Sequence, residues 1–284
     1  MAMETDLRPA VRPPLGDPAA LEPLLRDAIA EAGAIAMRHF RQPCRRWDKA
    51  PGQPVTEADV AIDRHLKARL FEATRADGIA WLSEETEDDP ARLEARAVWV
   101  VDPIDGTRSF AEGRPEFTIS IALVEDGTPR LAALLNPAKD QLFWAERGKG
   151  AFLNGAKLEV TPRVELKGAK IAVSEGEDRK HPFRSVFPDA EVVRIGSLAY
   201  KMALVAAGRF DAFFSWRRAR DWDIAAAALI LEEAGGRARD GLGCALRFNE
   251  PDPVHKGTIA CVPGLEAALV AVAGSGRSSG QKGA

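Results

Sequence analysis

The amino-acid sequence predicts a layered fold of the α+β or α/β class with one functional cleft. In the first half of the chain, turn residues separate strand-like apolar runs, a pattern that is typical of antiparallel hairpins. In the second half, strand-like runs alternate with helical patterns, as in α/β packing. At 284 residues, the chain is long enough for one large domain or two modest ones around a substantial core.

Two helices are predicted before the first strands. Asp17 is the expected cap of the first helix and Pro18 its first residue, followed by an apolar stripe at helical spacing. The second helix is expected to begin around Thr56 and to continue to Leu70. Strand-like runs then follow at Ile79–Leu82, Val98–Val101, Phe117–Val124 and Leu131–Leu135. Turns are marked by Asp126-Gly127, Asn136-Pro137, Gly148, Gly150 and Asn154-Gly155.

The second half of the chain alternates between the two element types. Strands are predicted at Lys170–Ser174, Glu191–Ile195 and Phe210–Phe214. One helix is predicted from Ser197 to about Ala207, ended by Gly208, and another from Asp223 to Ala234, ended by Gly235 and Gly236. The expected organisation is a flexible lead-in (1–16), an N-terminal α+β half (17–160), a C-terminal α/β half with the substrate loop (161–270) and a flexible tail (271–284).

The composition excludes several classes of protein. Hydrophobic residues make up 46% and charged residues 29%, as in ordinary globular proteins. The net charge of -3 gives no reason to expect a nucleic-acid polymer or an anionic membrane as partner. The longest uniform apolar run, Ile224 to Leu231, is far shorter than the ~18 residues of a membrane span. Three scattered cysteines without C-x-x-C spacing argue for the reducing cytoplasm and against a disulfide framework or a cysteine zinc site, so small core positions are expected for them.

The stretch VWVVDPIDGTRSF, from Val98 to Phe110, carries the clearest chemical signal. It delivers two carboxylates, Asp102 and Asp105, to the end of an apolar strand, with Pro103 stiffening the turn between them. Like charges at this distance repel, and a buried carboxylate without a partner is costly. A bound hard cation such as Mg²⁺ would compensate both charges.

Other acidic residues are open to two interpretations. Thr56 and Asp59 match a helix capping box, and Asp223 alone is most simply a helix N-cap. Glu84 and Glu85, in WLSEETEDD, could belong to a solvated acidic loop. Each of these groups could instead contribute to the same cation site.

Taken together, D-P-I-D-G-T, the upstream S-E-E and T-E-A-D, and the downstream W-D-I-A-A-A resemble the motifs of the inositol monophosphatase superfamily. The four motifs occur in the family's order, and the resemblance covers residues from about 20 to 265. It implies a layered αβαβα sandwich, a phosphatase that binds two or three Mg²⁺ ions and is inhibited by lithium, and a homodimer.

The resemblance also implies roles for individual residues. The implied metal ligands are Glu84, Asp102, the Ile104 carbonyl, Asp105 and Asp223. Glu84, Asp59 and Thr107 are the implied catalytic residues, with Thr107 and Asp59 orienting the attacking water, and Gly106 and Thr107 would present backbone N–H groups to phosphate. Independently, four carboxylates match the charge of two Mg²⁺ ions, and none of these motifs offers a covalent nucleophile. Direct attack by a metal-activated water is therefore expected.

The substrate is less firmly indicated. Arg108 after D-G-T, and Glu116-Phe117-Thr118, look most like the 3'(2'),5'-bisphosphate nucleotidase branch, which acts in sulfur metabolism. The implied substrate is 3'-phosphoadenosine 5'-phosphate, cleaved to AMP and phosphate. Arg217, Arg218 and Arg220 could clamp a second phosphate or could form a solvated basic loop. Inositol 1-phosphate and fructose 1,6-bisphosphate remain alternative substrates, and a cation-binding regulatory protein is the non-enzymatic alternative.

Overall fold

The computed structural model describes residues 18–50 and 52–280. The predicted lead-in (1–16) and the predicted cap Asp17 lie outside this range. The predicted tail does so only in part, because the last helix continues to Gly280 and residues 271–280 are therefore helical, contrary to the prediction. Among the described residues, no helix combines the length and the apolar character that a membrane span requires.

The helices and strands are numbered in chain order. The helices are α1 (Glu22–His39), α2 (Glu57–Leu66), α3 (Glu72–Thr74), α4 (Thr107–Ala111), α5 (Glu175–Asp178), α6 (Phe183–Val186), α7 (Leu198–Ala206), α8 (Asp221–Glu233) and α9 (Glu266–Gly280). The strands are β1 (Arg46–Ala50), β2 (Gln53–Thr56), β3 (Ile79–Ser83), β4 (Ala97–Asp105), β5 (Thr118–Glu125), β6 (Thr128–Asn136), β7 (Gln141–Glu146), β8 (Gly150–Leu153), β9 (Ala156–Lys157), β10 (Lys170–Val173), β11 (Glu191–Arg194), β12 (Ala212–Arg220), β13 (Arg237–Asp240) and β14 (Val254–Cys261).

Two sheets organise the molecule. The seven-stranded sheet contains β3 to β9 in sequence order, with β3 parallel to β4 and each later neighbour antiparallel. The five-stranded sheet has the order β11-β10-β12-β14-β13, in which β10 is parallel to both neighbours and β14 is antiparallel to both of its own. A separate antiparallel hairpin, β1–β2, precedes α2.

The alternation of side chains along β4 explains how the layers stack. Val98 and Val100 face a core shared with α7 and α8, whereas Trp99 and Val101 face a core shared with α1 and α2. The other face of the five-stranded sheet packs against α9 through a third core, which includes Phe214. The order of layers is therefore helix, seven-stranded sheet, helix, five-stranded sheet, helix, which confirms the αβαβα sandwich.

Helix α8 lies between the two sheets, and its sequence reflects this position. The run from Ile224 to Leu231 is buried on every side, since one sheet covers each face of the helix. A helix that is apolar all round is the expected solution for such a site. The burial fixes the start of α8, at Asp221, against the ends of strands from both sheets.

Several predicted boundaries change. The first helix begins with a 3-10 turn, Pro18–Leu21, before α1, and the second ends at Leu66 and continues as a π-helical turn, Lys67–Phe71. The hairpin β1–β2 and the strands β7 to β9, β13 and β14 were not predicted as strands, although the turn residues between β7, β8 and β9 were predicted. Cys261 is buried, as expected, but Cys44 is half-buried and Cys244 is exposed, so the core prediction fails for these two.

Candidate active site

The two aspartates of D-P-I-D-G-T lie within β4 rather than beyond its end. Asp102 pairs with Ser120 and Asp105 with Thr118 on β5, and the register shifts between these pairs. Pro103 has no N–H to donate to a ladder, so an irregularity is expected where it interrupts the strand. The bulge leaves both carboxyl groups buried at one edge of the seven-stranded sheet.

Three carboxylates from three different elements meet beside this bulge. Glu84 follows β3, Asp102 lies on β4 and Asp223 lies in the first turn of α8. One carboxylate oxygen from each lies within 4.8 Å of the other two. Residues from three of the four motifs are therefore brought to one place, and they form the acid cluster (Glu84, Asp102 and Asp223).

The acid cluster is electrostatically unfavourable on its own. Burial, together with repulsion from Glu84, Asp105 and Asp223, raises the pKa of Asp102 well above its ordinary value. Burial, followed by repulsion from Asp105, raises the pKa of Asp223 to about 8. Buried carboxylates that repel one another need a cation, and oxygen ligands of this kind suit a hard divalent ion such as Mg²⁺. The residues of the cluster therefore fit the metal that the sequence implies.

Asp105 lies next to the acid cluster and is held by α7. Its carboxylate accepts hydrogen bonds from the Ser197 hydroxyl, from Leu198 N–H at 3.1 Å and from Ala199 N–H at 2.6 Å. The N–H groups of Leu198 and Ala199 are backbone donors that α7 itself cannot satisfy at its N-terminus. Asp105 thus joins the seven-stranded sheet to the start of α7 while contributing negative charge to the site.

Thr107 and Asp59 meet beside the bulge. The Thr107 hydroxyl lies 3.1 Å from Asp59 Oδ1 and 3.0 Å from the Ile104 carbonyl oxygen. Asp59 also completes the predicted capping box, because its Oδ2 accepts a bond from Thr56 N–H at 2.8 Å. The capping interpretation and the site interpretation are therefore both compatible with its position. Burial, partly offset by the bonds from Thr56, raises the pKa of Asp59 to about 6.

Gly106 caps the start of α4 in a backbone conformation that favours glycine. Its φ is 95°, in the left-handed region, and a Cβ atom there would lie 2.9 Å from the Glu116 carbonyl oxygen. The first N–H groups of a helix have no intrahelical acceptor, so Gly106 and Thr107 can offer donors to an anion. Both the space and the φ angle at Gly106 require the absence of a side chain.

A cavity of about 560 Å³ opens beside Asp105, Gly106 and Asp223. Its walls carry six basic side chains from several elements, and Glu116 and Glu175 also line it. The basic residues are Arg108, Arg114, Arg194, Lys201, Arg217 and Arg218. These six residues are called the basic wall. An anionic ligand that reaches the acid cluster would lie beside it.

The arginines that the sequence placed in a loop lie on a strand. Residues Trp216 to Arg220 belong to β12, which pairs with β14 through Arg218, Ala219 and Arg220. Arg217 and Arg218 contribute to the basic wall, whereas Arg220 is outside the lining of the cavity and packs over Trp222, with its guanidinium carbon 5.4 Å from the ring centroid. The interpretation as a solvated loop is therefore wrong in its secondary structure.

Asp223 also differs from its simplest prediction. It is the third residue of α8, not the N-cap, and its Oδ2 accepts the backbone N–H of Arg220 at 2.7 Å. An acid at this position complements the positive end of the helix dipole. The N-cap interpretation is therefore wrong, while the carboxylate remains at the helix start.

Sequence reasoning did not single out two residues near the site. Lys49, on β1, places its Nζ 3.0 Å from Glu84 Oε1 and 2.8 Å from Glu85 Oε1. Lys201, on α7, is fully buried and donates to the Ser197 carbonyl oxygen at 2.6 Å, and burial lowers its pKa to about 8. A lysine at an interior position of a predicted apolar helix was the available signal for Lys201.

Comparisons with known proteins agree with this geometry. The model of the inositol monophosphatase family matches residues 17–275. An inositol-1-monophosphatase of Rhizobium meliloti is 36% identical over 252 residues, covering 85% of this chain and 91% of that protein. A histidinol-phosphatase of Chlorobaculum parvum is 34% identical over 226 residues, covering 78% and 85%. The crystal structure of the extragenic suppressor protein SuhB from Bartonella henselae has a TM-score of 0.78 at 30% identity, covering 93% of this chain and all of that one.

Proposed function

The chain belongs to the inositol monophosphatase family of phosphatases, and we propose that it is a Mg²⁺-dependent phosphomonoesterase whose substrate carries a second anionic group. The candidate is 3'-phosphoadenosine 5'-phosphate, with AMP and phosphate as products. The observation that carries this choice is the basic wall, which lines the same cavity as Asp223.

The acid cluster, with Asp105 and the Ile104 carbonyl beside it, would hold the divalent ions. The close approach of its three carboxylates and their burial support this role. When bound, Mg²⁺ neutralises charge on the phosphate and favours ionisation of water. The protein contributes by fixing three carboxylates on a strand, a strand end and a helix, all anchored in the core.

Asp59 and Thr107 would position the attacking water. Their side chains are in contact and are buried beside the bulge of β4. Burial raises the pKa of the Asp59 carboxyl to about 6, which makes it a stronger base than an ordinary aspartate. The N–H groups at the start of α4, from Gly106 and Thr107, would hold the phosphate oxygens.

The basic wall would bind the second phosphate. A substrate with one phosphate at the acid cluster leaves these cations without an anionic partner from the ligand. A second phosphate within the cavity would gain charge-assisted hydrogen bonds of roughly 1.5–3 kcal/mol each. Arg217 and Arg218 lie on the same strand that leads into Asp223, so they are placed to contact the far end of a ligand bound there.

A second candidate function is hydrolysis of a monophosphate ester. It is favoured by the names of the relatives from Rhizobium meliloti and Chlorobaculum parvum, an inositol-1-monophosphatase and a histidinol-phosphatase. For such a substrate the basic wall would act only at long range. A phosphate-release comparison with Mg²⁺, using 3'-phosphoadenosine 5'-phosphate, inositol 1-phosphate, histidinol phosphate and fructose 1,6-bisphosphate, distinguishes the candidates.

Alanine variants of the arginines test the basic wall. We expect Arg217→Ala or Arg218→Ala to lower kcat/KM for the bisphosphonucleotide by about ten- to a hundred-fold, because each removes a contact of roughly 1.5–3 kcal/mol. The matched control is Arg220→Ala, which removes the same charge from the same strand outside the cavity. Turnover of inositol 1-phosphate should change little in all three variants.

Two results would contradict the proposal. If inositol 1-phosphate or histidinol phosphate has the higher kcat/KM, the substrate is a monophosphate ester. If the Arg217 and Arg218 variants lose activity equally on both kinds of substrate, these side chains support the fold rather than the second phosphate.

A further inference from the structure

A second group of metal-binding side chains lies outside the acid cluster. His39 ends α1, Cys44 follows in the turn after it, and Glu57 is the first residue of α2. A nitrogen of His39, the sulfur of Cys44 and a carboxylate oxygen of Glu57 all lie within 4.8 Å of one another. We propose that these three residues form a binding site for a borderline-soft divalent cation of the Zn²⁺ class.

The local backbone explains why the three side chains meet. Arg41 has a φ of 60°, and this left-handed residue reverses the chain just after α1. Cys44 Sγ is thereby brought to 4.0 Å from His39 Nδ1. Two hydrogen bonds join Arg45 to Glu57, one between the backbones and one from Arg45 N–H to Glu57 Oε1 at 3.2 Å. The start of the β1–β2 hairpin therefore fixes Glu57 next to Cys44.

The distances suit a tetrahedral ion. With zinc–sulfur and zinc–nitrogen distances of about 2.3 and 2.0 Å, tetrahedral ligands lie roughly 3.3–3.6 Å apart. His39 Nδ1 is 3.6 Å from Glu57 Oε1, within a few tenths of an ångström of the ~3.3 Å expected for a nitrogen and an oxygen ligand. The 4.0 Å between Cys44 and His39 needs only a shift of a few tenths of an ångström. The side chains of His39 and Glu57 are 28% and 43% exposed, which leaves them room to adjust.

The donor types distinguish this site from the acid cluster. Thiolate, imidazole and carboxylate together favour Zn²⁺ over Mg²⁺, which prefers oxygen ligands alone. A cavity of about 280 Å³ borders His39 and Cys44 and leaves space for a water molecule or another small ligand in a fourth position. Three protein ligands with an open fourth position are a common arrangement for zinc.

The neighbouring arginines do not oppose the ion. A divalent cation bound by one thiolate and one carboxylate is neutral as a unit, so Arg41 and Arg46, which line the same cavity, meet no net charge. Two guanidinium groups are also directed elsewhere. Arg41 donates to the Gly113 carbonyl oxygen at 3.1 Å, and Arg45 lies over the Trp47 ring.

An occupied site would join α1, the turn after it and the start of α2. Glu57 directly follows Thr56, which caps the helix that carries Asp59. The metal would therefore stabilise the position of Asp59 without touching it, and it would link the end of α1 to the start of α2 beyond the core that the two helices share. The site is independent of the acid cluster, so it does not rest on the identity of the substrate.

Co²⁺ absorption tests the proposal with the full-length protein. Metal-free protein is titrated with Co²⁺ while excess Mg²⁺ occupies the acid cluster, and the thiolate-to-Co²⁺ charge-transfer band is recorded in the near ultraviolet. We expect a band that saturates at a single equivalent, is absent in Cys44→Ser and is unchanged in Cys244→Ser. Glu57→Gln keeps an acceptor for Arg45 N–H but loses the charge, and should weaken Co²⁺ binding at least about tenfold.

Alkylation of the cysteines gives a second measurement that needs no variant. Zn²⁺ should slow the reaction of Cys44 with iodoacetamide, mapped by mass spectrometry, while the exposed Cys244 serves as internal control. Absence of the charge-transfer band at saturating Co²⁺, its persistence in Cys44→Ser, or alkylation of Cys44 at the same rate with and without Zn²⁺ would overturn the proposal.

Discussion

Replacement of Asp223 by asparagine reveals how much the burial and mutual repulsion of its charge destabilise the protein when no metal is bound. Asp223 Oδ2 accepts the Arg220 N–H at 2.7 Å, and asparagine retains an oxygen that can accept the same bond. The substitution therefore removes the negative charge while it preserves the local contact at the start of α8. Its effect on the metal-free protein isolates the electrostatic contribution.

The magnitude follows from the pKa of the Asp223 carboxyl. This pKa is raised from an ordinary 3.8 to about 8, first by burial and then by repulsion from Asp105. Because the folded state holds this proton more tightly than the unfolded state, metal-free stability falls as the pH rises from about 4 to about 8. Each pH unit in this window is worth ~1.4 kcal/mol, so the unfavourable contribution at pH 7 is roughly 3–5 kcal/mol.

Denaturant unfolding in the presence of a chelator measures this contribution. At pH 7 we expect metal-free Asp223→Asn to be more stable than the wild type by a few kcal/mol, with a smaller advantage at pH 5. The control is Asp77→Asn, which removes an equal formal charge from an exposed turn and should change stability by less than about 0.5 kcal/mol. With Mg²⁺ the order should reverse, since the wild type gains binding energy and the variant loses a ligand. Phosphate release by the variant should fall by orders of magnitude.

Two results would refute this reasoning. If the metal-free wild type keeps the same stability between pH 5 and pH 8, the carboxyl does not hold its proton as the burial of Asp223 requires. If Asp223→Asn is less stable than the wild type in chelator at pH 7, the carboxylate stabilises the metal-free fold, and the acid cluster is not a site of net repulsion.

Two further substitutions test the residues at the start of α4. Gly106→Ala should destabilise the protein by roughly 1–3 kcal/mol more than Gly155→Ala. Both positions have positive φ angles, but only at Gly106 would the new Cβ lie 2.9 Å from the Glu116 carbonyl oxygen. Thermal unfolding compares the two variants directly, and equal losses of stability would mean that the clash is relieved. Thr107→Val should lower kcat at least a hundred-fold, because the hydroxyl that contacts Asp59 is lost, whereas Thr107→Ser should retain most activity. Equal kcat values for the two variants would show that the hydroxyl has no role in the mechanism.

Local sequence patterns predicted the elements whose side chains alternate or repeat in an obvious way. The apolar run of β4 and the buried stripe of α1 were recognisable because burial against the core sets the spacing of the apolar residues in each element. The continuation of β4 through Asp105 was not recognisable, because Pro103 and the two aspartates disfavour a strand locally. Pairing of Asp105 with Thr118 on β5 nevertheless extends the strand to this point. The layer order came from the resemblance of four motifs rather than from periodicity.

The arginine run at the end of β12 shows the same limit. Its charge suggested a loop, but β14 supplies the partner that makes it a strand, and this partner follows more than thirty residues later in the chain. The bonds from α7 to Asp105 and the meeting of His39, Cys44 and Glu57 likewise join segments that have no shared sequence pattern. Contacts of this kind depend on the assembled layers and cannot be inferred from neighbouring residues.

The acid cluster draws its members from widely separated parts of the chain, and this has a consequence for how the protein matures. Asp102 lies in the seven-stranded sheet and Glu84 directly follows one of its strands, whereas Asp223 lies on a helix that packs between the two sheets. During synthesis the early sheet can form while Asp223 is still unmade, because its strands contact one another locally. The acid cluster is therefore complete only after the chain through the start of α8 has been made, and a truncated product that ends before α8 lacks one of its three carboxylates.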